Sequence, residues 1–191
     1  QLFPGFESQS FRHLIYFQFS KCIIIIIFYL KGEKMTIQVG DKLPQITVST
    51  MTEEGPKPVS MEELCVGKKV VLFAVPGAFT PTCSVQHLPG FVTNASNLKD
   101  KGADVVACIS VNDPFVMAAW GKDRSAGEDV LMLSDGNAEF TSAIGLEMDG
   151  SGFGLGTRSQ RYAMIIEDGV VSTLNVESGP SLEVSSAETI L

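Results

Sequence analysis

The chain has 191 residues, 45% of them hydrophobic and 19% charged, which is enough apolar material for one packed domain and too much for a disordered chain. A formal net charge of −8 without a basic stripe speaks against nucleic-acid binding. Cys22, Cys65, Cys83 and Cys108 form neither a CxxC pair nor a dense framework, which excludes a small disulfide-stapled domain, and His13 and His87 are too few for a histidine-rich metal site. Neither a metal nor a cofactor is expected.

Residues 1–34 differ from the rest. They are rich in Phe and Ile, and Arg12, Lys21, Lys31 and Lys34 face only Glu7 and Glu33. The apolar run Cys22–Leu30 is well short of the roughly 20 residues that a membrane-spanning helix needs. It resembles the apolar core of a targeting peptide, but Lys31-Gly32-Glu33-Lys34 follows in place of a small-residue cleavage site. The preferred reading is that these residues lie upstream of the true start and that Met35 opens the domain. The expected domain is therefore 35–191, in the cytoplasm and without membrane contact; an organellar targeting segment is the alternative. The Ile-rich run is a β-aggregation hazard if it is made.

From Met35 onward strands and helices alternate. Leu43–Thr50 alternates apolar and polar residues and predicts a strand. Ser60-Met61-Glu62-Glu63 is a capping box, so a short helix runs from Ser60 to near Gly67. Lys69–Val75 is a near-continuous apolar run, as in a buried central strand. His87–Lys101 suits a helix, kinked or split at Pro89-Gly90. Asp104–Val111 is a second buried strand, and Asp113-Pro114 opens a helix through Trp120. Val130–Leu133 is a strand and Asn137–Ile144 a helix ended by Gly145. Gly150–Gly156 is a loop without dinucleotide-fingerprint spacing. Tyr162–Ile166 and Val170–Val176 flank the turn signal Asp168-Gly169. Ser185-Ser186-Ala187-Glu188 caps a final helix. This order implies an α/β fold, a central mixed sheet flanked by helices.

Chemistry concentrates in Val75–His87, VPGAFTPTCSVQH, where a buried strand runs into a helix. Sites in open α/β sheets form beyond the carboxyl ends of strands. Cys83 falls in the first helical turn, where unpaired N–H groups and the positive dipole end favour an anion, and the thiolate is the nucleophilic form of cysteine. Thr80, three residues earlier, can set its hydroxyl against that sulfur. A buried cysteine is commonly just a small apolar residue, but this position favours reactivity. His87, one turn on, lacks the partners for a metal site and reads as structural.

Pro76-Gly77-Ala78-Phe79-Thr80-Pro81-Thr82-Cys83 matches the PxxxTxxC motif of peroxiredoxins, and PGAFTPTCS…HLPGF with SVNDPFVM…W resembles their type II, atypical branch. The resemblance covers Met35 to Leu191. It implies a thioredoxin-like fold and a thiol-dependent peroxidase that reduces hydrogen peroxide and alkyl hydroperoxides. By the family pattern Cys83 is the peroxidatic cysteine, Thr80 hydrogen-bonds it and the peroxide, and Pro76 shields it. Arg161 matches the required distant arginine, with Arg158 as competitor. Glutaredoxin or thioredoxin is the implied reductant and a homodimer the implied assembly. Cys108 is a possible resolving cysteine or a core residue, with resolution by an external thiol slightly preferred; Cys65 reads as packing. The alternative function is a non-catalytic thioredoxin-fold module that senses redox state or binds partners.

Overall fold

The computed structural model describes residues 35–191, and Thr36–Leu191 form one compact unit. The expectations for residues 1–34 lie outside the described residues. The domain is built on a seven-stranded sheet of order β2-β1-β5-β4-β3-β8-β9. Its parallel centre consists of β3 (Lys69–Ala74), β4 (Val105–Ser110) and β5 (Leu131–Ser134). Antiparallel strands complete each side: β1 (Thr47–Thr52) and β2 (Gly55–Ser60) beyond β5, β8 (Tyr162–Glu167) and β9 (Val170–Val176) beyond β3.

Side-chain alternation along β3 divides the core. Val70, Leu72 and Ala74 join the cluster beneath α1 (Met61–Cys65) and α4 (Glu139–Ala143). Val71, Phe73 and Val75 join the cluster with α2 (Leu88–Asp100), α3 (Pro114–Asp123) and α5 (Ala187–Ile190). The sheet is covered on both faces, which is why its central strands are continuously apolar. This mixed sheet flanked by helices is the expected fold.

Local signals mostly hold. Ser60 accepts from the Glu63 N–H and caps α1; Asp113 accepts from Val116 and caps α3, which runs on to Asp123. Asp168 and Gly169 both have positive φ, +49° and +78°, the geometry of a tight hairpin turn.

Three expectations need correction, and one small sheet was not foreseen. The first strand lies later, at Thr47–Thr52, and pairs with β2, which carries Pro56 and Pro58. A strand with two prolines is tolerated because β2 is a sheet edge. The Gly-rich loop is flanked by a small two-stranded sheet, β6 (Glu147–Asp149) and β7 (Thr157–Ser159). The α-helix Leu88–Asp100 is not split at Pro89-Gly90. Instead Cys83–His87 forms a π-helical turn in which Leu88 N–H reaches back five residues to Cys83 O. Pro89 has no N–H to give and its ring crowds the carbonyl four residues back, so widening the preceding turn relieves it. Finally, Ser186, not Ser185, caps α5, accepting from Thr189 N–H.

Candidate active site

The loop after β3 is tied to the loop after β4. Val75 N–H donates to Ile109 O (3.2 Å), the Ser110 hydroxyl to Val75 O (3.1 Å), and Ala78 N–H to Asn112 Oδ1 (3.0 Å). At Gly77 an added Cβ would stand 3.2 Å from Thr80 Cγ2, a tight contact that the threonine would have to relieve by shifting. Ser84 N–H donates to Thr80 O at 3.0 Å, so the helix begins immediately after Thr80. Cys83 therefore sits in its first turn, as expected, where backbone N–H groups have no intrahelical acceptor. Its side chain is fully buried, and Trp120 Nε1 donates to the adjacent Ser84 hydroxyl (3.0 Å).

Two of the expected residues meet closely: Arg161 Nη1 lies 3.4 Å from Cys83 Sγ. Arg161 is 6% exposed and its Nε has no hydrogen-bond partner. Arg158 is occupied elsewhere: its Nε donates to Leu155 O (2.9 Å) and its Nη1 to Val111 O (2.7 Å). Thr80 departs from expectation. Its hydroxyl donates to Gly77 O (2.9 Å) and so has no proton left for sulfur; a hydroxyl keeps two lone pairs for accepting. Pro76 is half-buried at the mouth of the loop.

His87 does more than pack. Its Nδ1 lies 3.2 Å from Arg161 Nη1 and its Nε2 2.9 Å from Ser185 O. Both partners dictate the tautomer: a carbonyl only accepts and a guanidinium only donates, so the proton is on Nε2. Burial pushes the imidazole down to about 4, outweighing the backbone bond to Ser185 and the Glu177 charge that would raise it; Arg161 lowers it further. The ring leans on Phe73 and Phe91, which stack at 3.9 Å between centroids. This link was not legible in the sequence beyond the four-residue spacing from Cys83.

Cys108 lies in the same core cluster as Cys83 and is also fully buried. Burial, and then the nearby Cys83, push its thiol well above the ordinary value. Cys65 packs in the opposite cluster, where burial raises its thiol to about 11 despite Lys68. Among the described residues no cluster of His, Cys, Asp and Glu could hold a metal ion, and no helix is long and apolar enough to cross a membrane.

A reactive-looking cysteine at a strand-to-helix junction of such a sheet is the arrangement of a redoxin, and the Redoxin family matches residues 38–191. Chloroplastic peroxiredoxin-2E of Arabidopsis thaliana is 54% identical over 160 residues, covering 82% of this chain and 68% of that protein. Peroxiredoxin-2B of the same plant is 50% identical over 156 residues, covering 81% of this chain and 96% of its own. The crystal structure of reduced Prx3 from Vibrio vulnificus in complex with H2O2 is similar with a TM-score of 0.78 and 61% identity, over 81% of this chain and 97% of that one. The chain belongs to the peroxiredoxins, thiol-dependent peroxidases of thioredoxin-like fold, in their type II branch. The non-catalytic alternative is not favoured.

Proposed function

We propose that Cys83 is the peroxidatic cysteine, acting on hydrogen peroxide and alkyl hydroperoxides with Arg161, Thr80 and Pro76. The observation that carries this reading is the buried guanidinium 3.4 Å from the sulfur. The thiolate attacks one peroxide oxygen. A sulfur–oxygen bond forms, the O–O bond breaks, and its electron pair leaves on the distal oxygen, which takes a proton to become water or an alcohol. Charge developing on that oxygen needs a fixed donor in a dry site. Arg161 Nε–H is buried and unpartnered, and is available for this. The Thr80 hydroxyl, with its proton committed to Gly77 O, can accept from the peroxide O–H. Pro76 bounds the loop and, having no N–H, offers no competing donor.

The sulfenic acid on Cys83 is then attacked by a donor thiol, releasing water and leaving a mixed disulfide; a second donor thiol cleaves it and restores Cys83. Glutaredoxin or thioredoxin fits this role. Cys108 is the less favoured resolving partner, because a buried thiol held in its neutral form is a poor nucleophile. No cofactor enters the cycle.

The assembly that fits is a homodimer. Phe79, Phe115 and Phe153 are 53%, 65% and 86% exposed. The segments that carry them are joined by the Ala78–Asn112 and Arg158–Val111 bonds, and we read the three rings as one apolar rim. An apolar rim of this kind suits a second copy. Of the two compartments open to the chain, the chloroplastic names of two relatives support the organellar one over the cytoplasm.

The deciding experiment measures peroxide consumption with each donor for Cys83→Ser, Arg161→Ala and Arg158→Ala. Cys83→Ser is expected to be inactive, because a serine hydroxyl is scarcely ionised near neutral pH. Arg161→Ala is expected to lose roughly 10²–10³ in rate, as for loss of one oxyanion donor. Retention of activity in Cys83→Ser, or a larger loss in Arg158→Ala than in Arg161→Ala, refutes the assignment.

A further inference from the structure

No ion pair among the described residues includes Arg161. Its guanidinium is held instead by a closed ring of hydrogen bonds. Glu177 N–H donates to Arg161 O (2.9 Å). The Glu177 carboxylate gathers the segment that precedes α5: its Oε1 accepts from Glu183 N–H (2.9 Å), Val184 N–H (2.9 Å), Ser185 N–H (2.8 Å) and the Ser185 hydroxyl (2.8 Å). The Ser185 carbonyl accepts from His87 Nε2–H, and His87 Nδ1 accepts from Arg161 Nη1. The ring thus returns to the residue where it began, and Arg161, Glu177, Ser185 and His87 are all buried.

Four donors converging on one oxygen call for a charged acceptor, since charge-assisted hydrogen bonds are about twice as strong as neutral ones. Burial opposes ionisation of Glu177, yet these bonds leave its carboxyl below the ordinary value. The bonded segment has one consequence at the site. If the Ser185 carbonyl moves away, only the arginine's own N–H still favours the proton on Nε2, and the ring loses the partner that fixes its orientation. The other tautomer turns an N–H against the arginine's own N–H, two donors face to face, and the guanidinium loses its seat beside sulfur.

We propose that Glu177 is a positioning residue of the peroxidase: through the Ser185 carbonyl and His87 it aims Arg161 at Cys83. This rests on the reading of Cys83 and Arg161 as the reacting pair. The test measures the rate of sulfenic acid formation at Cys83 in the full chain, by rapid mixing with hydrogen peroxide, trapping with a cyclic diketone and mass spectrometry. Glu177→Ala is expected to slow the step about tenfold, in the range seen for neighbours in one hydrogen-bond network. Glu177→Gln, which keeps an acceptor oxygen but not the charge, should fall between Glu177→Ala and the parent. In a His87→Leu background, which keeps bulk but severs the ring, Glu177→Ala should cause no further loss. A Glu177→Ala rate within twofold of the parent overturns the proposal. So does an undiminished Glu177→Ala effect in the His87→Leu background, which marks a loop tether that acts on stability alone. If Glu177→Ala does not fold, the same cycle is run with Glu177→Gln, and a rate equal to the parent's, or a loss that persists in the His87→Leu background, counts against the proposal. Arg161→Ala measured alongside separates the two readings: if it matches the parent, the site assignment fails and not merely the role of Glu177.

Discussion

His87 is buried between Arg161 and Ser185, and that burial depresses its imidazole. With its folded value near 4 against 6.5 when exposed, it binds fewer protons in the folded than in the unfolded state across that interval. Its neutral form supports stability fully above pH 6.5, and the contribution is lost as pH falls from about 6.5 toward about 4. The loss is on the order of 3 kcal/mol. Urea denaturation at stepped pH should show that decline, and His87→Gln, which cannot take up the proton, should flatten it; an unchanged slope in His87→Gln places the titrating group elsewhere. Glu177 acts in a lower window, its depressed carboxyl supporting stability above the ordinary glutamate value and withdrawing it as pH falls further. A second expectation at this scale concerns Cys108. Cys108→Ser should retain most peroxidase activity with glutaredoxin as donor, because its buried thiol is held neutral. A dominant Cys83–Cys108 disulfide after one equivalent of peroxide, with an inactive Cys108→Ser variant, would make this a two-cysteine enzyme. Cys83, Thr80 and Arg161 could be nominated from the sequence because they belong to a compact motif and a resemblance, and the structure sets Arg161 Nη1 3.4 Å from Cys83 Sγ. His87, Ser185 and Glu177 could not, since ring closure across the fold leaves no local spacing to read.

Elements were legible where one signal sufficed. Caps placed α1 and α3, continuous apolar runs placed β3 and β4, and Asp168-Gly169 placed the last hairpin. Errors arose where two rules competed. Pro56 and Pro58 argue against a strand unless it is known to be an edge, which only the sheet order reveals. Pro89 argues for a break in the helix, but the preceding turn absorbed it as a π-helical widening that begins at Cys83. Ser185 fits a cap by pattern, but Glu177 claims it and Ser186 takes the role. The cap of α3 offers a clean test, because its Asp113 accepts from Val116 N–H and that helix carries Trp120. Asp113→Ala should cost about 1 kcal/mol in denaturant unfolding; a loss below a few tenths would mean that Pro114 alone starts the helix.

At the scale of the whole molecule, Thr36–Leu191 is compact in itself, with both faces of its sheet covered by its own helices. A chain beginning at Met35 is therefore expected to fold, to dimerise and to turn over peroxide at the parent's rate; loss of solubility or activity on that truncation would assign residues 1–34 a part in the domain. Dimerisation itself should depend on the phenylalanine rim. Phe115→Glu is expected to shift the mass in sedimentation equilibrium from dimer to monomer, and an unmoved dimer would direct attention to another face.

Trp120 is the single tryptophan of the chain, fully buried, with its indole N–H bonded to the serine next to Cys83. All the indole emission of the protein thus comes from beside the Cys83 segment. Loosening of the Cys83–His87 turn is expected to exchange Ser84 for water at the indole and to move its emission to longer wavelength, which stopped-flow fluorescence with peroxide and donor would record. Trp120 would then serve as a built-in optical reporter of this turn, one that needs no label.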